Sequence, residues 1–343
     1  MRLPRARWLA AVLAVLLLAE GGARLIDGHI PETDERGHPE LEYKWDLAAE
    51  LTAGDAPPRT VAFGNSMLDG AFIPETFTAA GGEPAFNAGF LNAPLSVIDD
   101  WAGLVIERTR PDTAIVVVHP LDTVEGDVSF GQDGGTLAPS FDDALSRIDP
   151  GAFDRLTDRA AGVSALVRNR STIRQPRELW QAVEATIGDE EPPAPQRIDE
   201  AAPLHEVDWA AALDPRGWNT RFQDGALPPD ASFPFLEDLI GELTTQELDA
   251  APVVEVLRAM APVEQAVLVI PPVADEVLER SGIPAAFLDQ RTADLIALAE
   301  DVDVDVVDLS GAEYPTSLFH DPVHLNRAGA ERFSRDLATA LSP

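Results

Sequence analysis

Residues 60–70, Thr60-Val61-Ala62-Phe63-Gly64-Asn65-Ser66-Met67-Leu68-Asp69-Gly70, decide how this chain is read. The first four form a short apolar run of strand type. Gly64 then turns the backbone, and Ser66 stands where the turn passes into the next segment. Strand, tight turn and serine together lift a hydroxyl off the carboxyl edge of a sheet and present it to a substrate. Taken alone, the same stretch also reads as an ordinary strand-to-helix turn with a capping serine.

Working outward, residues 84–87 predict a second short strand ending in Asn87-Ala88-Gly89. Val97, Trp101, Leu104 and Val105 recur at helical spacing across residues 96–108. The run at 113–118, Thr-Ala-Ile-Val-Val-Val, is continuous and β-branched, as in strands buried on both faces of a parallel sheet. Alternation resumes past residue 260, with a strand at 265–270, a helix at 285–300, a strand at 304–309 and an amphipathic closing helix at 327–341. This order predicts an α/β fold in which helices cover both faces of a parallel sheet. Residues 121–260 read as an insertion over the carboxyl ends of the strands, where ligands bind in such sheets. Within it, helices are expected at 174–187, 235–243 and 246–260, and an acidic, proline-rich loop at 188–195. Trp180, Trp209 and Trp218 either line a lid or acyl groove there or simply pack helices.

Composition narrows the function. With 343 residues and 45% hydrophobic content, the chain can form one large α/β domain carrying an insertion. The absence of cysteine excludes disulfides, thiolate metal sites and cysteine nucleophiles. A net charge of −34, from 25 basic and 59 acidic residues, repels phosphate backbones and argues against nucleic-acid binding. Lys44 is the sole lysine. No phosphate-cradling glycine loop and no zinc or EF-hand spacing is present, so neither cofactor nor metal is expected. Asp301, Asp303 and Asp305 read as the solvated side of a strand edge.

Arg2, Arg5 and Arg7 precede the apolar run 8–19, which Glu20 breaks. Basic then apolar is an export pattern. It fits a cleaved signal peptide, or a signal anchor extending to residue 26 with an extracytoplasmic domain beyond it. The lack of a clean A-x-A cleavage site favours the anchor. Residues 27–58, polar and carrying four prolines, read as a spacer from membrane to domain.

The second chemical block lies at the far end, in Phe319-His320-Asp321-Pro322-Val323-His324-Leu325-Asn326. An aspartate three residues before a histidine can share a pocket with it, fix its tautomer and stabilise its protonated form. A serine hydroxyl needs such a base to become a nucleophile. Ser66, His324 and Asp321 are therefore the candidate catalytic residues. A helix cap followed by a structural histidine would give the same local pattern.

Taken together, Phe63-Gly64-Asn65-Ser66, Asn87-Ala88-Gly89 and Asp321-Pro322-Val323-His324-Leu325-Asn326 resemble the blocks of the SGNH (GDSL-like) hydrolase superfamily. The resemblance covers residues 59–120 and 262–342. It implies a flavodoxin-like three-layer α/β/α fold and ester hydrolysis or acyl transfer, with Ser66 as nucleophile, His324 as base and Asp321 as its orienting acid. It also implies an oxyanion hole from the backbone N–H groups of Ser66 and Gly89. The family's third donor is an asparagine after the third strand. Here that place reads Val118-His119-Pro120-Leu121-Asp122, and Asn92 is the candidate substitute. Asn65, Asp69 and His119 are expected to line the pocket, with Asp69 and Asp122 as rim or turn carboxylates. His119 reads equally as a satisfied structural residue. The layout, one N-terminal anchor before an outward-facing domain, also resembles SGNH-type partners of membrane-bound O-acyltransferases that modify cell-envelope carbohydrate. The alternative is a non-catalytic module of the same fold that binds a glycan or such a partner.

Overall fold

In the computed structural model, the described residues are 17–27, 38–123, 164–168, 207–222, 224–228, 248–280 and 282–342, with isolated positions between them. Five strands form the sheet: β1 (Thr60–Phe63), β2 (Ala85–Asn87), β3 (Thr113–Val117), β4 (Gln265–Ile270) and β5 (Asp305–Asp308). The helices used below are α1 (Pro39–Ala53), α2 (Ser66–Ala71), α3 (Pro74–Ala79), α4 (Leu95–Thr109), α5 (Trp209–Ala212), α6 (Ala250–Ala259), α7 (Asp275–Arg280), α8 (Ala285–Asp301) and α9 (Arg327–Ala340).

The strand order is β2-β1-β3-β4-β5 and every pairing is parallel. That is the flavodoxin-like order, in which the chain winds to one side of β1 and then to the other. The fold is the three-layer α/β/α architecture that the strand–helix alternation predicts. Period-two alternation divides each strand between two cores. Ala62, Ile115, Val117, Val267 and Val269 join Phe333 and Leu337 of α9 in one cluster. Val61, Phe63, Val116, Leu268 and Ile270, on the opposite side, are equally buried, and α4 packs there with α1 and α6 beside it. β5 closes the sheet as an edge strand with exposed ends.

The chain divides into two compact units, Met1–His38 with Leu137–Glu206, and Pro39–Thr136 with Val207–Pro343. The sheet belongs to the second. In the first, the Glu20 carboxylate accepts hydrogen bonds from the Ser164 hydroxyl (2.7 Å) and from the N–H groups of Ala165 and Leu166 (both 3.1 Å), capping the short helix Ala165–Arg168. Ser164 first, then Arg24 and the backbone donors, hold the Glu20 carboxyl down to about 2. Among the described residues no helix is long and apolar enough to cross a membrane. Residues 8–16 of the expected anchor lie outside the described residues. So do the helix expected at 235–243, the acidic loop at 188–195 and all but isolated positions of the helix expected at 174–187.

Three expectations are corrected. The second half of the supposed spacer is the fifteen-residue helix α1, with Leu41, Lys44, Leu47 and Ala48 buried along one stripe. Its spacing is amphipathic, but a lysine in the middle of the stripe disguises it. The stretch 207–228 is part of the main unit rather than a lid: the Asn87 N–H donates to Arg216 O (2.9 Å), and Arg216 Nη1 donates back to Ala85 O (3.1 Å) along the outer edge of β2. Gly217 allows this approach, since it has φ +88° and a Cβ there would lie 2.4 Å from Asn87 O. Finally, Asp301 ends α8 and Asp303 occupies a left-handed turn (φ 60°), so of the three aspartates only Asp305 lies in a strand.

Lys44 is completely buried. Its Nζ pairs with Asp69 Oδ1 at 2.5 Å, donates to Gly89 O and lies 3.6 Å from Glu40 Oε1. Burial first, and then the charge of Asp69, push the Glu40 carboxyl well above its ordinary range. Removing one member of a buried pair strands the other without solvent. Lys44→Ala is expected to lower unfolding free energy by about 3–5 kcal/mol in urea titrations; a loss below about 1 kcal/mol would contradict a structural ion pair.

Candidate active site

The site is built where β1 ends. Gly64 passes so close to α2 and β3 that a Cβ would meet Leu68 Cβ of the first at 2.8 Å and Val117 O of the second at 3.1 Å. Asn65 then caps α2, its side-chain oxygen accepting from the Met67 N–H (3.0 Å). Ser66 is the first residue of that helix, so its own N–H has no intrahelical acceptor. Asn65 Nδ2 donates to Asp122 Oδ1 (2.9 Å), and Asp122 Oδ2 accepts from the His119 N–H (2.9 Å). The cap of α2 is thereby tied to the turn after β3.

The other half comes from the loop before α9. Asn326 caps that helix through the Gly329 N–H (3.1 Å), and its Nδ2 donates to Ser317 O and Gly225 O (both 2.8 Å). An isolated bridge between Phe319 and Leu325 closes the loop and turns His324 toward α2. His324 Nε2 lies 2.9 Å from Ser66 Oγ, and Nδ1 lies 2.7 Å from Asp321 Oδ2. Asp321 Oδ1 accepts from the N–H groups of Val323 (3.0 Å) and His324 (2.9 Å). Burial opposes ionisation of Asp321, yet the His324 hydrogen bond and charge, with those two donors, leave its carboxyl below the usual range. Phe222 stacks on the His324 ring at 4.7 Å and 14°. The imidazole is held on its edge by Asp321 and on its face by an aromatic ring.

The structure therefore brings Ser66, His324 and Asp321 into one hydrogen-bonded line. Asn65 precedes Ser66, and His119 is tied to Asn65 through Asp122. Asp69 does not line a pocket: it is buried against Lys44, and its Oδ2 accepts from Asn219 Nδ2 (2.7 Å). Gly89 is displaced from its expected role too, because its N–H is committed to Asn87 Oδ1 (3.0 Å). The neighbouring N–H groups of Ala88, Phe90 and Leu91 go to Ala62 O, Gly64 O and Glu40 Oε2. The next N–H in this loop, that of exposed Asn92 at φ +55°, has no hydrogen-bond partner among the described residues. Of the tryptophans in the middle region, Trp209 and Trp218 are buried, and Trp218 Nε1 donates to Gly70 O (2.9 Å). They pack the domain rather than line a groove; Trp180 is exposed.

Sequence reasoning did not find Phe222, Asn219 or the role of Lys44. Only Lys44 left a signal, as the one lysine in a chain that otherwise uses arginine. Among the described residues no group of three or more acidic or histidine side chains is arranged to hold a metal ion.

No protein-family model and no curated protein matches the chain. Solved structures similar to it include a lipase/acylhydrolase from Enterococcus faecalis, at 11% identity and TM-score 0.36, covering 83% of this chain and 98% of that one. A carbohydrate acetylesterase from Sinorhizobium meliloti is similar at 11% identity and TM-score 0.35, covering 82% and 98%. What this site can do rests on its own geometry.

His119 is 1% exposed, and burial first, then the charge of His324, lower its pKa from 6.5 to about 3. Between those values the unfolded chain holds a proton that the folded chain refuses. Its contribution to stability is thus complete above pH 6.5 and lost as pH falls toward 3. Asp122, raised to about 7 chiefly by burial, acts with the opposite sign and weakens the fold as pH rises from 3.8 to 7. Comparing His119→Gln with the native chain cancels the Asp122 contribution. The variant is expected to lose less stability between pH 6.5 and 4, read from urea unfolding; an unchanged acid slope would refute the buried neutral imidazole.

Proposed function

We propose that this chain is an SGNH-like serine hydrolase or acyltransferase that works through an acyl-enzyme on Ser66. The observation that carries this reading is the line Ser66 Oγ–His324 Nε2–Asp321, at 2.9 and 2.7 Å. Nucleophile and base within hydrogen-bond reach, with the base oriented by a third group, is the signature of an activated hydroxyl. Ser66 Oγ attacks the ester carbonyl while its proton passes to His324 Nε2. Asp321 stabilises the imidazolium that forms. Collapse of the tetrahedral intermediate breaks the carbonyl–alkoxide bond, and His324 returns the proton to the leaving alcohol. Water then repeats the sequence to release an acid, or a second hydroxyl accepts the acyl group. The N–H groups of Ser66, at the start of α2, and of Asn92 have no hydrogen-bond partner among the described residues and are the backbone donors toward the oxyanion.

The substrate class is an acyl ester, read as an ester of cell-envelope carbohydrate. Export and a membrane-bound O-acyltransferase partner belong to the same proposal and rest on the basic-then-apolar N-terminus.

A fluorophosphonate probe is expected to label the native protein and not Ser66→Ala. With a soluble acyl ester, Ser66→Ala and His324→Ala are each expected to lower kcat by about 10⁴–10⁶, and Asp321→Asn by about 10⁴. Probe labelling that survives Ser66→Ala, or full cleavage in His324→Ala, would sink this assignment.

A further inference from the structure

The site as described holds backbone donors for an oxyanion but no side-chain donor. His119 has the properties of one. We propose that His119 Nε2–H hydrogen-bonds the substrate carbonyl oxygen as it becomes the alkoxide of the tetrahedral intermediate on Ser66. This rests on the acyl-transfer reading above and adds a catalytic residue to it.

Four observations converge on the ring. β1 and β3 pair in parallel with Phe63 opposite Val116. The turns that follow these two adjacent strands carry Ser66 and His119. This is also the point where the winding of the sheet reverses, at which open α/β sheets bind ligands. Second, the tautomer is decided locally. The Leu121 N–H donates to His119 Nδ1 at 3.0 Å, so the proton of the neutral ring resides on Nε2. Third, that Nε2 is buried and has no hydrogen-bond partner among the described residues. An orphaned buried donor is costly to a fold, by about 1–3 kcal/mol, and calls for an explanation, of which a catalytic role is one. Fourth, the residue is fixed at both backbone groups: its N–H donates to Asp122 Oδ2, and its carbonyl accepts the Asp122 N–H (2.8 Å). Asp122 in turn holds the Asn65 cap of the Ser66 helix. Donor and nucleophile are thus mounted on one hydrogen-bonded frame.

The electrostatics suit this role. Burial first, and then the charge of His324, disfavour a cation on His119. His119 stays neutral while His324 carries the proton taken from Ser66. A neutral imidazole can polarise a carbonyl without giving up its own proton. No bond to His119 forms or breaks; the only proton in transit moves from Ser66 Oγ to His324 Nε2 and on to the leaving alcohol.

The test compares His119→Leu, which removes the donor, with His119→Gln, whose amide N–H reaches about as far as Nε2. With a soluble acyl ester, the leucine variant is expected to lose kcat by about 10²–10³ with KM within about threefold. Inhibition by an alkyl boronic acid, which forms a tetrahedral adduct on Ser66, is expected to weaken by a similar factor. The glutamine variant is expected to keep kcat within about tenfold of native. Unchanged kcat in the leucine variant, or equal losses in both, would overturn the assignment while leaving Ser66 and His324 in their roles. If the leucine variant does not fold, the glutamine variant decides alone, and a loss of 10² or more there overturns it. A native protein without Ser66-dependent cleavage would instead overturn the underlying acyl-transfer reading, and this inference with it.

Discussion

The ammonium group of Lys44 sits where three pieces of chain must meet for a site to exist. It belongs to α1, its carboxylate partner Asp69 lies on the helix that begins with Ser66, and its carbonyl partner Gly89 follows β2. A cation with no exposure to water is tolerated only when its charge and its donors are matched by fixed neighbours. That requirement works as a geometric constraint, because α1, α2 and the loop after β2 can satisfy the ammonium in few relative positions. Asn219 takes the remaining Asp69 oxygen, and Glu40 reaches the Leu91 N–H. The loop that ends at Asn92 is held from several sides by groups from distant parts of the chain.

The parallel sheet does the rest. Because all five strands run the same way, the turns after β1 and β3 emerge at one edge, and the reversal of winding between them opens a crevice there. Ser66 and His119 stand on those two turns. His324 enters from a loop 258 residues away along the chain and completes the line to Asp321. Burial acts on neighbouring groups with opposite effect. It lowers the proton affinity of His119 and raises that of Asp122, while Asp321 is held ionised by its partners. Environments that differ this much within a few residues are typical of sites where protons move.

How much of this could be read in advance depended on distance along the chain. β1, β3 and β4 were legible because each is a continuous apolar run. The Asp321–His324 pair was legible because its partners stand three residues apart in one loop. α1 was hidden because a buried lysine interrupts its apolar stripe, so its residues passed for a polar spacer. Trp218 and Phe222 look like any aromatic residues in a long insertion. Only the packed structure sets one beneath α2 and the other on the His324 ring.

By itself the sequence determined the α/β class, the strand segments and the local chemistry of the Ser66 turn and the Asp321–His324 loop, since each is written in side-chain period or spacing within a few residues. Tertiary structure alone decided which groups are spent and which are free. Gly89 N–H goes to Asn87, while the Asn92 N–H and the buried His119 Nε2 have no hydrogen-bond partner among the described residues. The physical reason is that hydrogen-bond satisfaction and desolvation are properties of the assembled surroundings. For Lys44 with Asp69, Asn219 with Asp69 and Ser66 with His324, those surroundings come from residues 25, 150 and 258 positions apart.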